Sequence, residues 1–166
     1  MYVSHTFLSR HPYDFYFFIV QRSQRLWTPP DPVATSSLKG LFTMLKPSLP
    51  TLVNIDIEYY INDKDETNDG PLAGLHHELE KMAGQNVVET IKLKIWVQQG
   101  RYNCTRWGEL DDVLMGSPEG WPALKEVSFK VIGSSRKDPN FKALRNLPMT
   151  KLVESKQVEF NFRVVG

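Results

Sequence analysis

The sequence predicts an α/β fold: a short solenoid of about four helix–strand units, a parallel sheet with helices on one face. Three features of the residues predict it. Strand-like segments recur at a fixed interval, segments of helical spacing lie between them, and the strands alternate apolar with polar residues. Strands separated by helices run parallel, because each helix carries the chain back to its starting end. Two architectures satisfy that rule. A doubly wound sheet, covered on both faces, has nearly continuous apolar strands. A one-sided solenoid leaves one face to water, so its strands alternate, as these do.

At 166 residues the chain is long enough for one domain with its own core and short for two. Lys and Arg number 20 against 19 Asp and Glu, so no bulk charge draws the protein to nucleic acid or an anionic membrane. No run approaches the roughly 18 apolar residues of a membrane helix. The N-terminal "FYFFIV" is too short and wrongly flanked for a signal peptide. Cys104 is the single cysteine, which excludes an intrachain disulfide and favours a reducing compartment, cytoplasmic or nuclear.

Residues 1–35 read as an irregular N-terminal segment or an atypical first unit. "YDFYFFIVQ" puts Ile19 36 residues before Ile55 but lacks alternation, and "WTPPDPV" is a stiff connection. Residues 36–166 form the repeat-like domain. Leu38, Leu41, Phe42 and Leu45 make an i, i+3, i+4, i+7 stripe, with Ser36 or Ser37 as cap and Pro47 as stop. The strand "LVNIDIEYYI" follows, with Ile55, Ile57, Tyr59 and Ile61 on one face. Leu72, Leu75, Leu79 and Met82 make a second helix, opened by Pro71 and closed by Gly84. In its strand Ile91, Leu93, Ile95 and Val97 oppose Lys92, Lys94, Trp96 and Gln98. Trp107, Leu110 and Leu114 mark a third helix between Thr105 and the Gly116–Pro118 stop, and "LKEVSFKVI" is its strand. A fourth helix is expected from Asp138 and Pro139 to Pro148, before "QVEFNFRVV".

Ile55, Ile91 and Val127 fall 36 residues apart, as do Leu52, Val88 and Leu124, and Ile57, Leu93 and Phe129. Phe160 follows Phe129 by 31, which implies a shorter last connection. Each of the first three units thus reads apolar-x-x-apolar-x-apolar. These segments, each preceded by an amphipathic helix, resemble the irregular leucine-rich repeats in the C-terminal region of fungal F-box/leucine-rich-repeat proteins. "GWPALKEVSF", a proline-containing turn leading into L-x-x-V-x-F, is similar to phrases found in those families. The resemblance covers roughly residues 36–166 and includes no Leu-Pro-rich three-helix F-box segment. It implies a leucine-rich-repeat-like solenoid serving as the substrate-recognition part of an F-box-type ubiquitin ligase.

A one-sided sheet turns its polar half into a surface. In phase, Asp56 lies beside Lys92, Glu58 beside Lys94, and Tyr60 beside Trp96. Ser128, Lys130 and Ile132 come next, then Glu159, Asn161 and Arg163. The candidate binding surface is Asp56, Glu58, Tyr60, Lys92, Lys94, Trp96, Lys130 and Arg163, with Tyr60 and Trp96 as aromatic anchors. Opposite charges in neighbouring rows also serve simply as cross-strand pairs.

Other constellations carry less. The stretch from Asp65 has a calcium-loop start, but its twelfth position is His76 instead of a bidentate Glu. "HHELE" sets His76 and Glu80 on one helix face without a third ligand, and reads as an exposed face. No nucleophile or phosphate-binding motif surrounds Cys104 or any other residue. The expected function is therefore non-catalytic protein binding, with no cofactor, metal, nucleic acid or membrane and with the partner unidentified. No polar capping unit follows the last strand, which leaves end-to-end pairing into a homodimer open. The competing reading is a small α/β enzyme whose site lies in the loops at the strand C-terminal ends. Those loops contain Asp63, Asp65, Arg101, Cys104 and Arg136.

Overall fold

Alternation does produce strands. The computed structural model describes residues 16–21, 24–26, 40–61, 74–97, 107–117, 119–133 and 149–165. Within these lie β1 (Tyr16–Gln21), β2 (Gln24–Leu26), β3 (Leu52–Ile61), β4 (Thr90–Val97), β5 (Glu126–Gly133) and β6 (Glu159–Val165). The described helices are α1 (Leu41–Leu45), α2 (Leu75–Met82), α3 (Trp107–Met115) and α4 (Thr150–Glu154). The strands form one open sheet in the order β2-β1-β3-β4-β5-β6. From β3 to β6 each strand lies parallel beside its successor. The chain is thus α/β, built on a four-strand parallel sheet with helices.

The inner face of that sheet is the core. Ile55, Ile57, Ile91, Leu93, Ile95, Val127, Phe129 and Val131 are buried, in one cluster with the apolar residues of all four described helices. α2 packs against both α1 and α3, and α3 packs against α4. The stripes explain the contacts: Leu75, Leu79 and Met82 are buried from α2, and Trp107, Leu110 and Leu114 from α3. Each such side chain contributes about 1.5–3 kcal/mol on leaving water. Aromatic rings fill the C-terminal half, where Phe129 lies 5.6 Å from Trp107 and 5.7 Å from Phe160, the latter edge-on.

The first three strands keep the 36-residue register, pairing Ile55 with Ile91 and Ile91 with Val127. The fourth departs from the expected phase. Phe162, not Phe160, lies beside Phe129, and Phe160 lies beside Val127. The start of the strand sets this register. Val158 takes the buried place held by Leu52, Val88 and Leu124 in the earlier units, but one residue of the bend is missing before Phe160. Ser155 Oγ accepts the N–H groups of Gln157 and Val158, and Glu159 N–H donates to the Lys125 carbonyl at 2.7 Å. A slip of two residues leaves every side chain on its own face, so alternation alone is blind to it.

The N-terminal echo also resolves differently. Ile19 does sit beside Ile55, but β1 runs antiparallel to β3 and to β2, with a register shift between Val20 and Gln21. An antiparallel neighbour requires no crossover helix. The 36-residue interval before Ile55 is therefore not one more parallel helix–strand unit.

Helix starts hold the third departure. Ser36, Ser37, Pro71, Thr105 and Asp138 lie outside the described residues. α1 and α2 open instead on Gly40 and Gly74, with φ of +93° and +80° and no side-chain cap of their own. Only glycine adopts this left-handed backbone freely. α1 ends at Leu45, and Pro47 lies in the 3-10 turn that follows, close to the predicted stop. Gly84 follows the last turn of α2 with φ +72°, as a terminating glycine should. The expected fourth helix, from Asp138 and Pro139 to Pro148, lies outside the described residues, and a separate short helix, α4, forms at Thr150–Glu154.

The missing caps come from neighbouring helices. Glu78, 4% exposed on α2, accepts the Phe42 N–H of α1 through Oε2 at 2.8 Å and holds Lys81 Nζ on Oε1 at 2.7 Å. Burial pushes its carboxyl up. The Lys81 hydrogen bond, the Phe42 N–H, the Lys81 charge and the Gly40 N–H outweigh that and hold it below the ordinary glutamate value. Asp111, buried on α3, does the same for α4, accepting Lys151 N–H at 2.9 Å and Leu152 N–H at 2.8 Å. Asn86 joins two turns: its Nδ2 donates to the Met82 and Gly120 carbonyls while its Oδ1 accepts Val88 N–H.

Candidate functional site

The outer face of the sheet is built by the same alternation that builds the core. Parallel strands in register put equivalent outward residues side by side, about 4.8 Å apart. Asp56, Lys92, Ser128 and Asn161 form one row across β3 to β6, and Glu58, Lys94, Lys130 and Arg163 form the next. Tyr60, Trp96, Ile132 and Val165 form a third. Every candidate surface residue read from the sequence therefore lies on one face. The slip in β6 changes only the neighbours, so that Arg163 stands beside Lys130 and not beside Ile132.

Three of those residues form one knot. Glu58 Oε1 accepts Lys94 Nζ at 2.7 Å and also Trp96 Nε1–H. Lys94 Nζ sits 4.6 Å from the centre of the Trp96 ring, a cation–π contact. Trp96 is thus a half-buried indole already engaged by its own sheet. The position of Tyr60 beside it is fixed by register. Lys92, although opposite Asp56, places its Nζ 3.7 Å from Glu126 Oε1 on the other side. Long side chains reach diagonal neighbours readily, which the in-phase reading does not weigh.

At the start of the strands Glu159 Oε1 accepts Asn161 Nδ2 at 3.0 Å, and Lys125 Nζ meets Glu89 Oε1 at 2.9 Å. Lys130 and Arg163 are exposed on the same face and have neither an ion pair nor a side-chain hydrogen bond within the described residues.

The helix layer corrects one expectation. His76 does not belong to an exposed face; it is 9% exposed, with Nε2 3.3 Å from Glu109 Oε2 on α3. The packing of α2 on α3 turns that side inward. His77 is the exposed one, 3.6 Å from Glu80. Among the described residues no group of three or more His, Cys, Asp or Glu side chains could hold a metal ion. Nor is any described helix long and apolar enough to cross a membrane. The calcium-like stretch and the loops with Asp63, Asp65, Arg101, Cys104 and Arg136 lie outside the described residues.

Glu78, Asp111 and Asn86 were missed by reading the sequence. A signal existed for Glu78, which stands three after Leu75 and four before Met82, inside the apolar stripe. Comparison with protein-family models, with curated proteins and with solved structures finds no match.

Proposed function

We propose that this chain is a short leucine-rich-repeat-like solenoid acting as a non-catalytic protein-binding scaffold, with the outer face of β3 to β6 as its recognition surface. The division of the sheet carries this reading. On β4 the inward Ile91, Leu93 and Ile95 are at most 2% exposed, whereas the side chains of Lys92 and Lys94 between them are 49% and 37% exposed. Helices cover one side, and nothing within the described residues covers the other. An in-register polar face with a few large side chains suits recognition of a macromolecular surface by shape and charge.

The resemblance of the units to fungal F-box/leucine-rich-repeat proteins supports a further step. In that setting the bound partner is the substrate of a ubiquitin ligase. Deleting the chain should then lengthen the partner's lifetime; an unchanged lifetime removes the ligase role and leaves the scaffold. The scaffold itself is tested by comparing proteins retained on immobilised wild type, on a Lys92→Glu/Lys130→Glu variant and on a Glu119→Lys/Glu154→Lys variant of the helix side. Loss of partners on the first variant alone supports the surface. Loss on the second alone overturns it.

The sheet also suggests how two copies would meet. Among the described residues β6 has no strand on its outer edge, and its own Phe160, Phe162 and Val164 are half-buried. Such edges template further pairing. End-to-end dimers through β6 should appear in light scattering as concentration rises, and a monomer up to about 0.1 mM overturns them.

A further inference from the structure

We infer that the outer face, read as a recognition surface, receives a protein segment carrying two neighbouring carboxylates followed by apolar residues, docked on Lys130 and Arg163. The inference rests on the reading above and adds the occupant's chemistry and its place on β5 and β6.

Charge on the outer face is locally unbalanced. Along the outer face the acids Asp56, Glu58, Glu126 and Glu159 face the bases Lys92, Lys94, Lys130 and Arg163 one for one. Their arrangement leaves two cations over. Glu58 is taken by Lys94 and Trp96, Glu126 by Lys92, and Glu159 by Asn161. Lys130 and Arg163 stand directly beside each other on adjacent parallel strands, with Lys94 next in the row. Like charges directly opposite one another destabilise a sheet. Such a row has no structural use that the described contacts reveal. It is the footprint expected where an anionic partner completes the pairing.

The surroundings narrow the partner. Glu58 flanks the row on one side, and Glu126 and Glu159 lie two rows further back along β5 and β6. A uniform polyanion such as a nucleic-acid backbone would run onto these acids across the sheet towards β3 and back along β5 and β6. A segment with two acids at one point and neutral or basic residues elsewhere would not. In the other direction along the strands lie the half-buried Ile132 and Val165. Apolar residues next to the acids would cover them.

The test uses the ¹⁵N-labelled full chain titrated with a short peptide of Glu-Glu-Phe-Leu core and with its Gln-Gln-Phe-Leu counterpart, at about 50 mM salt where surface charge is weakly screened. Amides of Ser128–Ile132 and Asn161–Val165 should shift with the acidic peptide. Lys130→Ala and Arg163→Ala should each weaken it by about 2- to 5-fold, the range of an exposed ion pair. Lys130→Glu should abolish the response and raise the melting temperature of the free protein, because it turns a like-charged row into an alternating one. A residue serving only the fold would not give that opposite pair of effects. Equal binding of the two peptides overturns the acidic partner and leaves the recognition face standing. So does no shift up to about 5 mM peptide. Tighter competition by a DNA duplex of equal charge overturns the protein segment as occupant. Shifts confined to the helix layer overturn the recognition face as well.

Discussion

Replacing Glu78 with Ala removes the cap of a helix that has none of its own. α1 is five residues long, opens on Gly40 and carries no side-chain cap. Its Phe42 N–H and Gly40 N–H both rely on the Glu78 carboxylate. A lost N-cap costs about 0.5–2 kcal/mol, and a hydrogen bond to a charged acceptor about 1.5–3 kcal/mol. The Lys81 side chain is 54% exposed, so its pair with Glu78 adds little, about 0.2–1 kcal/mol after screening. These contributions overlap, and a loss of about 2–3 kcal/mol is expected, or roughly 5–10 °C in Tm for a chain of this length.

The pH dependence has a definite sign. Because the folded carboxyl titrates below its ordinary value, Glu78 stabilises the fold above that ordinary value, and the contribution disappears as pH falls through the folded pKa. The gap between wild type and Glu78→Gln, measured by urea unfolding followed by circular dichroism, should be full at neutral pH. It should narrow only as pH falls below the ordinary glutamate value and through the lower folded pKa. A gap that is absent at pH 7, or that persists unchanged in acid, would refute the capping argument.

Two further substitutions test the buried polar joints. Asn86→Ala should cost about 1–3 kcal/mol, since it strands the Val88 N–H and takes one of two donors from each of the Met82 and Gly120 carbonyls, and Asn86→Asp should be no better at neutral pH. Although nearly the same shape, Asp aims an acceptor at the Met82 and Gly120 carbonyls, so an Asp variant as stable as wild type would show that the Asn86 donor is idle. Trp96→Phe removes the N–H that Glu58 accepts together with the five-membered half of the indole, and should cost at least the roughly 0.5–1.5 kcal/mol of that hydrogen bond in chemical denaturation. A cost that falls by about 0.5–1.5 kcal/mol when Glu58→Ala is already present would tie that part of the loss to this one bond.

The sequence made most of this fold legible because its strongest signals are periodic. Ile55, Ile91 and Val127 repeat at one interval, so strand order and facing follow from them, and the structure pairs them as read. What stayed hidden shares a different physics. The direction of β1 is invisible in "YFFIVQ", since an apolar run pairs equally well either way. The two-residue slip of β6 preserves alternation. α4 is only five residues long, and its cap, Asp111, lies on α3, far away in sequence. Lys92 chose Glu126 over Asp56 because its reach exceeds one row. Pattern reading handles what recurs along the chain, whereas caps and diagonal pairs depend on three-dimensional neighbours.

Those caps also tie the helix layer together. Glu78 closes the end of α1 from α2, His76 and Glu109 join α2 to α3, and Asp111 closes the end of α4 from α3. Gly84 N–H and Asn86 both reach the Gly120 carbonyl of the following turn. Among the described residues each of these buried polar groups has at least one partner in the neighbouring unit, and an isolated unit would lose those bonds. Stability and cooperativity are lodged in the helix layer and the turns. The outer face contributes exposed pairs worth little individually, and Lys130 beside Arg163 opposes folding. Substitution of those exposed pairs therefore changes the charge of the surface at little cost to the fold, the Glu58–Lys94–Trp96 knot excepted.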